Sequence, residues 1–174
     1  MVRESLQNSL DATIEGQEFT DVKYTIGKFN SNQLANHFEE IDVKLNTEYE
    51  GYHDFIAVSD KNTYGLMGDY KSNDKEVLDA SNFHKLVFSI GKNQDKDGAG
   101  GSWGLGKTSY FRMGIGLVIY YTRVQTEDGF EERLIGSMIE SPKSPNRILQ
   151  NNARGIAWWG TYSEDGSKIY PITN

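Results

Sequence analysis

Gly98-Ala99-Gly100-Gly101-Ser102-Trp103-Gly104-Leu105-Gly106-Lys107-Thr108 is the stretch on which the fold turns. Five of the chain's eighteen glycines fall between Gly98 and Gly106. Glycines let consecutive backbone N–H groups close around an anion, and a helix opening near Lys107 adds its positive end. Lys107 contributes a point charge suited to a terminal phosphate. The plainer alternative is a glycine-rich surface loop with no ligand. Gly101 to Thr108 also spells G-x-x-x-x-G-K-[ST], the P-loop signature, and that signature requires a buried strand running straight into it. Here the nearest apolar run, Leu86 to Ile90, is separated from Gly101 by ten residues, Gly91 to Gly100, largely charged or glycine. No strand ending in a magnesium-binding Asp follows, because Leu117 to Val124 continues into Gln125-Thr126. The context therefore favours an anion-wrapping loop on a different fold, with 91–106 as its lid.

Working outward, Val2, Leu6, Leu10 and Ile14 recur every four residues and predict an N-terminal helix stopped at Gly16. The apolar stripe is expected to dock on a core, leaving Glu4, Asn8 and Asp11 facing a cavity on the other side. Thr20 to Asn30 reads as a strand, and Gln33 to Glu40 as a short helix with Leu34, Phe38 and Ile41 on one side. His53 to Ser59 reads as a buried strand, because Phe55-Ile56-Ala57-Val58 is continuously apolar. Asp60 to Asp79 is loop-like, Phe83 to Ile90 is open between strand and helix, and Lys107 to Met113 is a short helix. Gly116 to Val124 and Arg133 to Glu140 form a hairpin about Asp128-Gly129. Ile156 to Tyr162 and Lys168 to Ile172 form a second about Glu164-Asp165-Gly166. Helices first and hairpins later predict an α+β layered domain.

Composition removes whole classes of chemistry. The 174 residues fit one domain, and 12% of them are aromatic, as a folded chain requires. Cysteine is absent, which excludes disulfides, thiol nucleophiles and cysteine metal sites. Three histidines, His37, His53 and His84, have no metal-binding spacing. A formal charge of −7 disfavours direct nucleic-acid binding. No apolar run is long enough to span a bilayer and no leader pattern opens the chain, so a cytoplasmic location is expected.

Glu4, Asn8 and Asp11 share one helix face, and Asn offers a hard cation a neutral carbonyl oxygen. A carboxylate one turn away can polarise water for attack. Taken alone, these three residues are equally the solvated face of an amphipathic helix. Asp60, after its strand, is otherwise a turn-forming residue.

Three motifs in order alter that balance. Glu4-Ser5-Leu6-Gln7-Asn8-Ser9-Leu10-Asp11-Ala12 resembles the N box, E-x-x-x-N-x-x-D-A, of the GHKL superfamily: DNA gyrase B, the 90-kDa heat-shock chaperone, histidine kinases and MutL. Ala57 to Leu66 resembles its G1 box, and Gly101-Ser102-Trp103-Gly104-Leu105-Gly106 its G2 box, G-x-x-G-x-G. The run Asp60 to Gly68 is similar to a bacterial subgroup of large ATP-binding proteins.

The resemblance implies a Bergerat fold: a two-layer α/β sandwich, its mixed, mostly antiparallel sheet covered on one face by helices. It implies a single ATP-binding domain over 1–174, with truncation at both ends allowed for, and Mg²⁺ as cofactor. Glu4 would be the catalytic general base and Asn8 the Mg²⁺ ligand, with Asp11 beside them. Asp60 would accept the adenine amino group, with Asn62, Thr63, Gly65 and Leu66 around the base. Gly101, Gly104, Leu105, Gly106, Lys107 and Thr108 would meet the phosphates. Asn62 replaces the usual first glycine of the G1 box and Gly65 lies one residue late. Gly160-Thr161 stands as the candidate for the late G3 element. The implied activity is slow ATP hydrolysis driving lid closure and a conformational or dimerisation switch, through further domains or a homodimer partner. The alternative is a nucleotide-sensing interaction module with little turnover.

Overall fold

A computed structural model describes residues 1–89, 109–150 and 152–174. Helix α1 (Val2–Asp11) is followed by strand β1 (Asp21–Asn30), helices α2 (Ser31–Ala35) and α3 (Asp42–Thr47), and strand β2 (Tyr52–Lys61). Helix α4 (Lys75–Ala80) and a π-helical turn (His84–Phe88) come next. Beyond them run β3 (Leu117–Thr126), β4 (Gly129–Ile139), β5 (Ile156–Trp159), β6 (Thr161–Tyr162), β7 (Ile169–Tyr170) and β8 (Ile172–Thr173). No described helix is long and apolar enough to cross a membrane.

The α+β class holds, and every described strand pairing is antiparallel. β1 and β2 make one two-stranded antiparallel sheet, in register from Asp21 opposite Lys61 to Asn30 opposite Tyr52. The second sheet runs β3-β4-β5, with β8 also pairing β4. The β3–β4 hairpin closes at Asp128-Gly129 as the turn chemistry predicts, with Thr126 opposite Gly129.

Helical layers were expected on one face of the sheet, and the second sheet has them on both. Alternation along β4 sends Leu134, Gly136 and Met138 to one face and Arg133, Ile135 and Ser137 to the other. On the first face Met138 joins Ala35, Phe38, Ile41 and Leu45 from the α2–α3 region in one core cluster. Phe38 sits over Gly136, where a Cβ would lie 2.8 Å from its ring, so only glycine admits this approach. On the second face Ile135 joins Tyr70, Phe83 and Val87. The adjacent tryptophans show the same division. Trp158 donates Nε1–H to Val87 O at 3.0 Å on one side, and Trp159 donates to Glu39 O at 3.0 Å on the other. Each tryptophan thus anchors one layer.

Two further expectations change. The apolar stripe of α1 faces outward: Val2 is 54% exposed and Leu10 59%, whereas Ser5 and Ser9 are buried. The reason is polar. Ser5 Oγ bonds Tyr24 Oη at 2.7 Å and Ser9 Oγ donates to Asp60 at 2.8 Å, so hydroxyls rather than leucines join α1 to the β1–β2 sheet. β2 is a strand as expected but is not buried. Phe55 and Ile56 are both exposed, on a sheet of two strands among the described residues.

At the tip of the second hairpin, Asp165 accepts from Ser163 Oγ, Ser167 N and Ser167 Oγ. These bonds, the Ser163 hydroxyl first, pull its carboxyl down to about 2. A lowered folded pKa stabilises above the unfolded value and is lost as pH falls through the folded one. The turn should therefore stay ordered at pH 4 and loosen as pH approaches 2. An NMR titration of the Asp165 carboxyl carbon should show that midpoint; a midpoint near 4 would refute it.

Candidate functional site

The hydroxyl bonds that orient α1 also assemble the candidate site. Ser9 Oγ donates to Asp60 Oδ2 at 2.8 Å, and Thr63 Oγ1 donates to Asp60 Oδ1 at 2.8 Å. Both oxygens of the carboxylate are thus oriented, each with lone-pair capacity left for another donor. Tyr64 N donates to Ala12 O at 2.8 Å and Ile14 N to Asn62 O at 3.0 Å, sealing the end of α1 against the segment after β2. Asn62 takes φ 63°, in the left-handed region that Asn tolerates best among side-chain-bearing residues.

The loop beyond Asp60 is fastened to the second sheet. Gly65 has φ 65°, and a Cβ there would lie 2.6 Å from Thr122 Oγ1 and 3.1 Å from Arg123 O. Leu66 N donates to Thr122 Oγ1 at 2.9 Å, and Arg133 Nη1 donates to Leu66 O at 3.1 Å and Gly68 O at 2.9 Å. Thr122 and Arg133 are directly opposite each other across β3 and β4. One cross-strand pair therefore holds both peptide groups of Leu66.

Glu4 and Asn8 are half-buried on α1, one turn apart. Asn8 donates Nδ2–H to Tyr110 Oη at 3.3 Å. Tyr110 lies on the helical residues 109–111. Burial raises its phenol pKa, the Asn8 hydrogen bond lowers it, and the nearby Glu4, Tyr24 and Asp60 raise it further. It stays neutral through neutral pH.

No group of three or more His, Asp or Glu among the described residues is placed to hold a metal ion. A cation bound through Asn8 Oδ1, with water and phosphate oxygens completing its shell, fits the donors present, because Mg²⁺ typically takes few protein ligands. With Nδ2 committed to Tyr110, Oδ1 is the ligating atom that the side chain has to offer.

The structure thus brings Glu4, Asn8, Asp60, Asn62, Thr63, Gly65 and Leu66 to the region between α1, the end of β2 and the loop that follows it. Asp11 is exposed and accepts from Gln7 Nε2 at 2.7 Å, so it is engaged along its own helix. Gly101, Gly104, Leu105, Gly106, Lys107, Thr108 and the 91–106 lid lie outside the described residues. At Gly160-Thr161 a Cβ on Gly160 would lie 2.1 Å from Tyr170 O, so that glycine serves the β5–β6 crossing over β7.

Sequence reasoning missed Ser9, Tyr110, Thr122 and Arg133. Ser9 had a signal, since Ser5 and Ser9 are four apart and share a helix face. Tyr110 follows Thr108 by two residues, within the predicted helix. Thr122 and Arg133 are legible only once the β3–β4 register is known.

Compared with protein-family models, with curated proteins and with solved structures, the chain matches none, and the residue geometry carries the functional argument.

Proposed function

We propose that this chain is an ATP-binding module of the GHKL type that binds ATP with Mg²⁺ and hydrolyses it slowly. The observation that carries the reading is the Ser9–Asp60 hydrogen bond at 2.8 Å, which joins the first motif helix to the second motif strand. A helix face and a distant strand end resembling two boxes of one site meet through a specific side-chain contact. The Asn8–Tyr110 contact brings the residues just after the third motif to the same helix.

In this reading Asp60, with its oxygens set by Ser9 and Thr63, accepts the exocyclic amino group of adenine. Guanine presents an oxygen at that position and meets carboxylate oxygens, which cannot donate to it. Glu4, one turn before Asn8, takes the proton of the attacking water. Asn8 Oδ1 would hold Mg²⁺, which would supply neutralisation of the phosphate charge. Lys107 and the glycines of 101–106 are assigned to the phosphates. Closure of the 91–106 segment over the nucleotide couples binding to a further domain or a second copy, in a cytoplasmic setting.

Isothermal titration tests the core claim: Mg·ATP should bind the wild-type chain with a clear preference over Mg·GTP. No heat with either nucleotide would overturn it. Steady-state phosphate release then separates enzyme from sensor. Glu4→Ala should lower turnover by about 10²-fold, the usual worth of a general base. Equal background rates in both proteins would assign the chain to nucleotide sensing without hydrolysis.

A further inference from the structure

Tyr110 belongs to none of the three motifs, yet its hydroxyl oxygen receives the Asn8 amide nitrogen at 3.3 Å. An Asn side chain can be turned two ways, presenting either oxygen or NH₂ to the same point. Only the oxygen can ligate a hard cation, so the amide's orientation decides whether Asn8 attracts Mg²⁺ or repels it. A phenol can in principle serve either orientation, since it both donates and accepts. Here the amide donates and the phenol oxygen accepts, so the NH₂ end of Asn8 is the end turned towards Tyr110.

We propose that Tyr110 is a positioning residue for this site, holding the Asn8 amide so that Oδ1 is the atom offered to a divalent cation. The proposal rests on the nucleotide reading above and extends it, because it assigns the selection of the ligating atom to a residue outside the motifs. It acts as an outer partner that fixes the direction of a ligand, a role whose loss ordinarily weakens metal binding by an order of magnitude or more.

The test uses the full chain and ADP, titrated once in EDTA and once in saturating MgCl₂. The readout is the ratio of the two affinities. Tyr110→Phe keeps the ring and removes the hydroxyl, and should shrink the Mg²⁺-dependent ratio by about tenfold. Asn8→Asp offers oxygen in either orientation, so adding Tyr110→Phe to it should change the ratio no further. Thermal melting of each variant reports folding, and the Asn8→Asp pair remains informative if Tyr110→Phe lowers stability. An unchanged ratio in Tyr110→Phe overturns the proposal alone. So does an equal fall in the Asn8→Asp background, which a packing role would produce. Wild-type protein that binds neither ADP nor ATP in either buffer overturns the nucleotide reading and this proposal with it.

Discussion

Asp60→Ala is expected to weaken Mg·ATP binding by about 10- to 150-fold, the worth of roughly 1.5–3 kcal/mol for a hydrogen bond to a charged group. The loss should be selective. If the carboxylate is the group that tells an amino from a carbonyl substituent, as proposed, ATP and GTP should converge in affinity. Asp60→Asn is the sharper variant. Its amide can accept or donate, so part of the binding should return while the preference for adenine stays low. Ser9→Ala should weaken ATP binding by about 3- to 10-fold, or roughly 1 kcal/mol, because it removes one of the two hydroxyls that orient the carboxylate while Thr63 still holds the other oxygen. Isothermal titration with both nucleotides checks the order Ser9→Ala, then Asp60→Asn, then Asp60→Ala. ATP affinity unchanged in Asp60→Ala would remove the carboxylate from any nucleotide site.

The sequence conveyed more of the secondary structure than of its packing. Turn chemistry at Asp128-Gly129 fixed a hairpin whose register follows from one contact, so β3 and β4 were legible from letters alone. Periodicity also found α1, but it assigned the wrong face to the interior. A stripe such as Val2, Leu6 and Leu10 marks what a helix can bury, and tertiary hydrogen bonds chose Ser5 and Ser9 instead. The run Phe55 to Val58 misled in a related way. Continuous apolar residues imply two covered faces, and among the described residues this strand pairs with β1 alone. For the site, motif spacing pointed to Asp60 and Asn8, whereas their partners Ser9 and Tyr110 carry no motif. Contacts between distant segments have no local signature, so the residues that orient a site are the last to be read.

Arg133→Ala is expected to cost about 3–5 kcal/mol of stability, in the range for breaking a buried charged interaction. Arg133 is only 7% exposed. It pairs with Glu131 through Nε, and its guanidinium stands 4.8 Å from the Tyr70 ring centroid and 5.3 Å from that of Phe83. Nη1 bonds the carbonyls of Leu66 and Gly68. Truncation would leave those carbonyls without this donor, leave Glu131 without its partner and open a cavity beside the Tyr70–Phe83 ring pair. Each consequence destabilises in the same direction. Arg133→Met separates them, since a long apolar side chain fills the space and supplies no donors. If the carbonyl bonds matter, Met should recover less than half of the loss. Arg133→Lys should recover more, yet a single ammonium lacks the planar fork that lies against the rings while donating to peptide oxygens. Urea unfolding of the three variants gives the order, and a cost below ~1 kcal/mol for Arg133→Met would show that packing alone sustains the contact. The expected order has a consequence for the site, because Arg133 and Thr122 hold the Leu66 peptide from both sides. A variant that stays folded with this hold loosened should also bind ATP more weakly, linking the stability of the second core to the loop beyond Asp60.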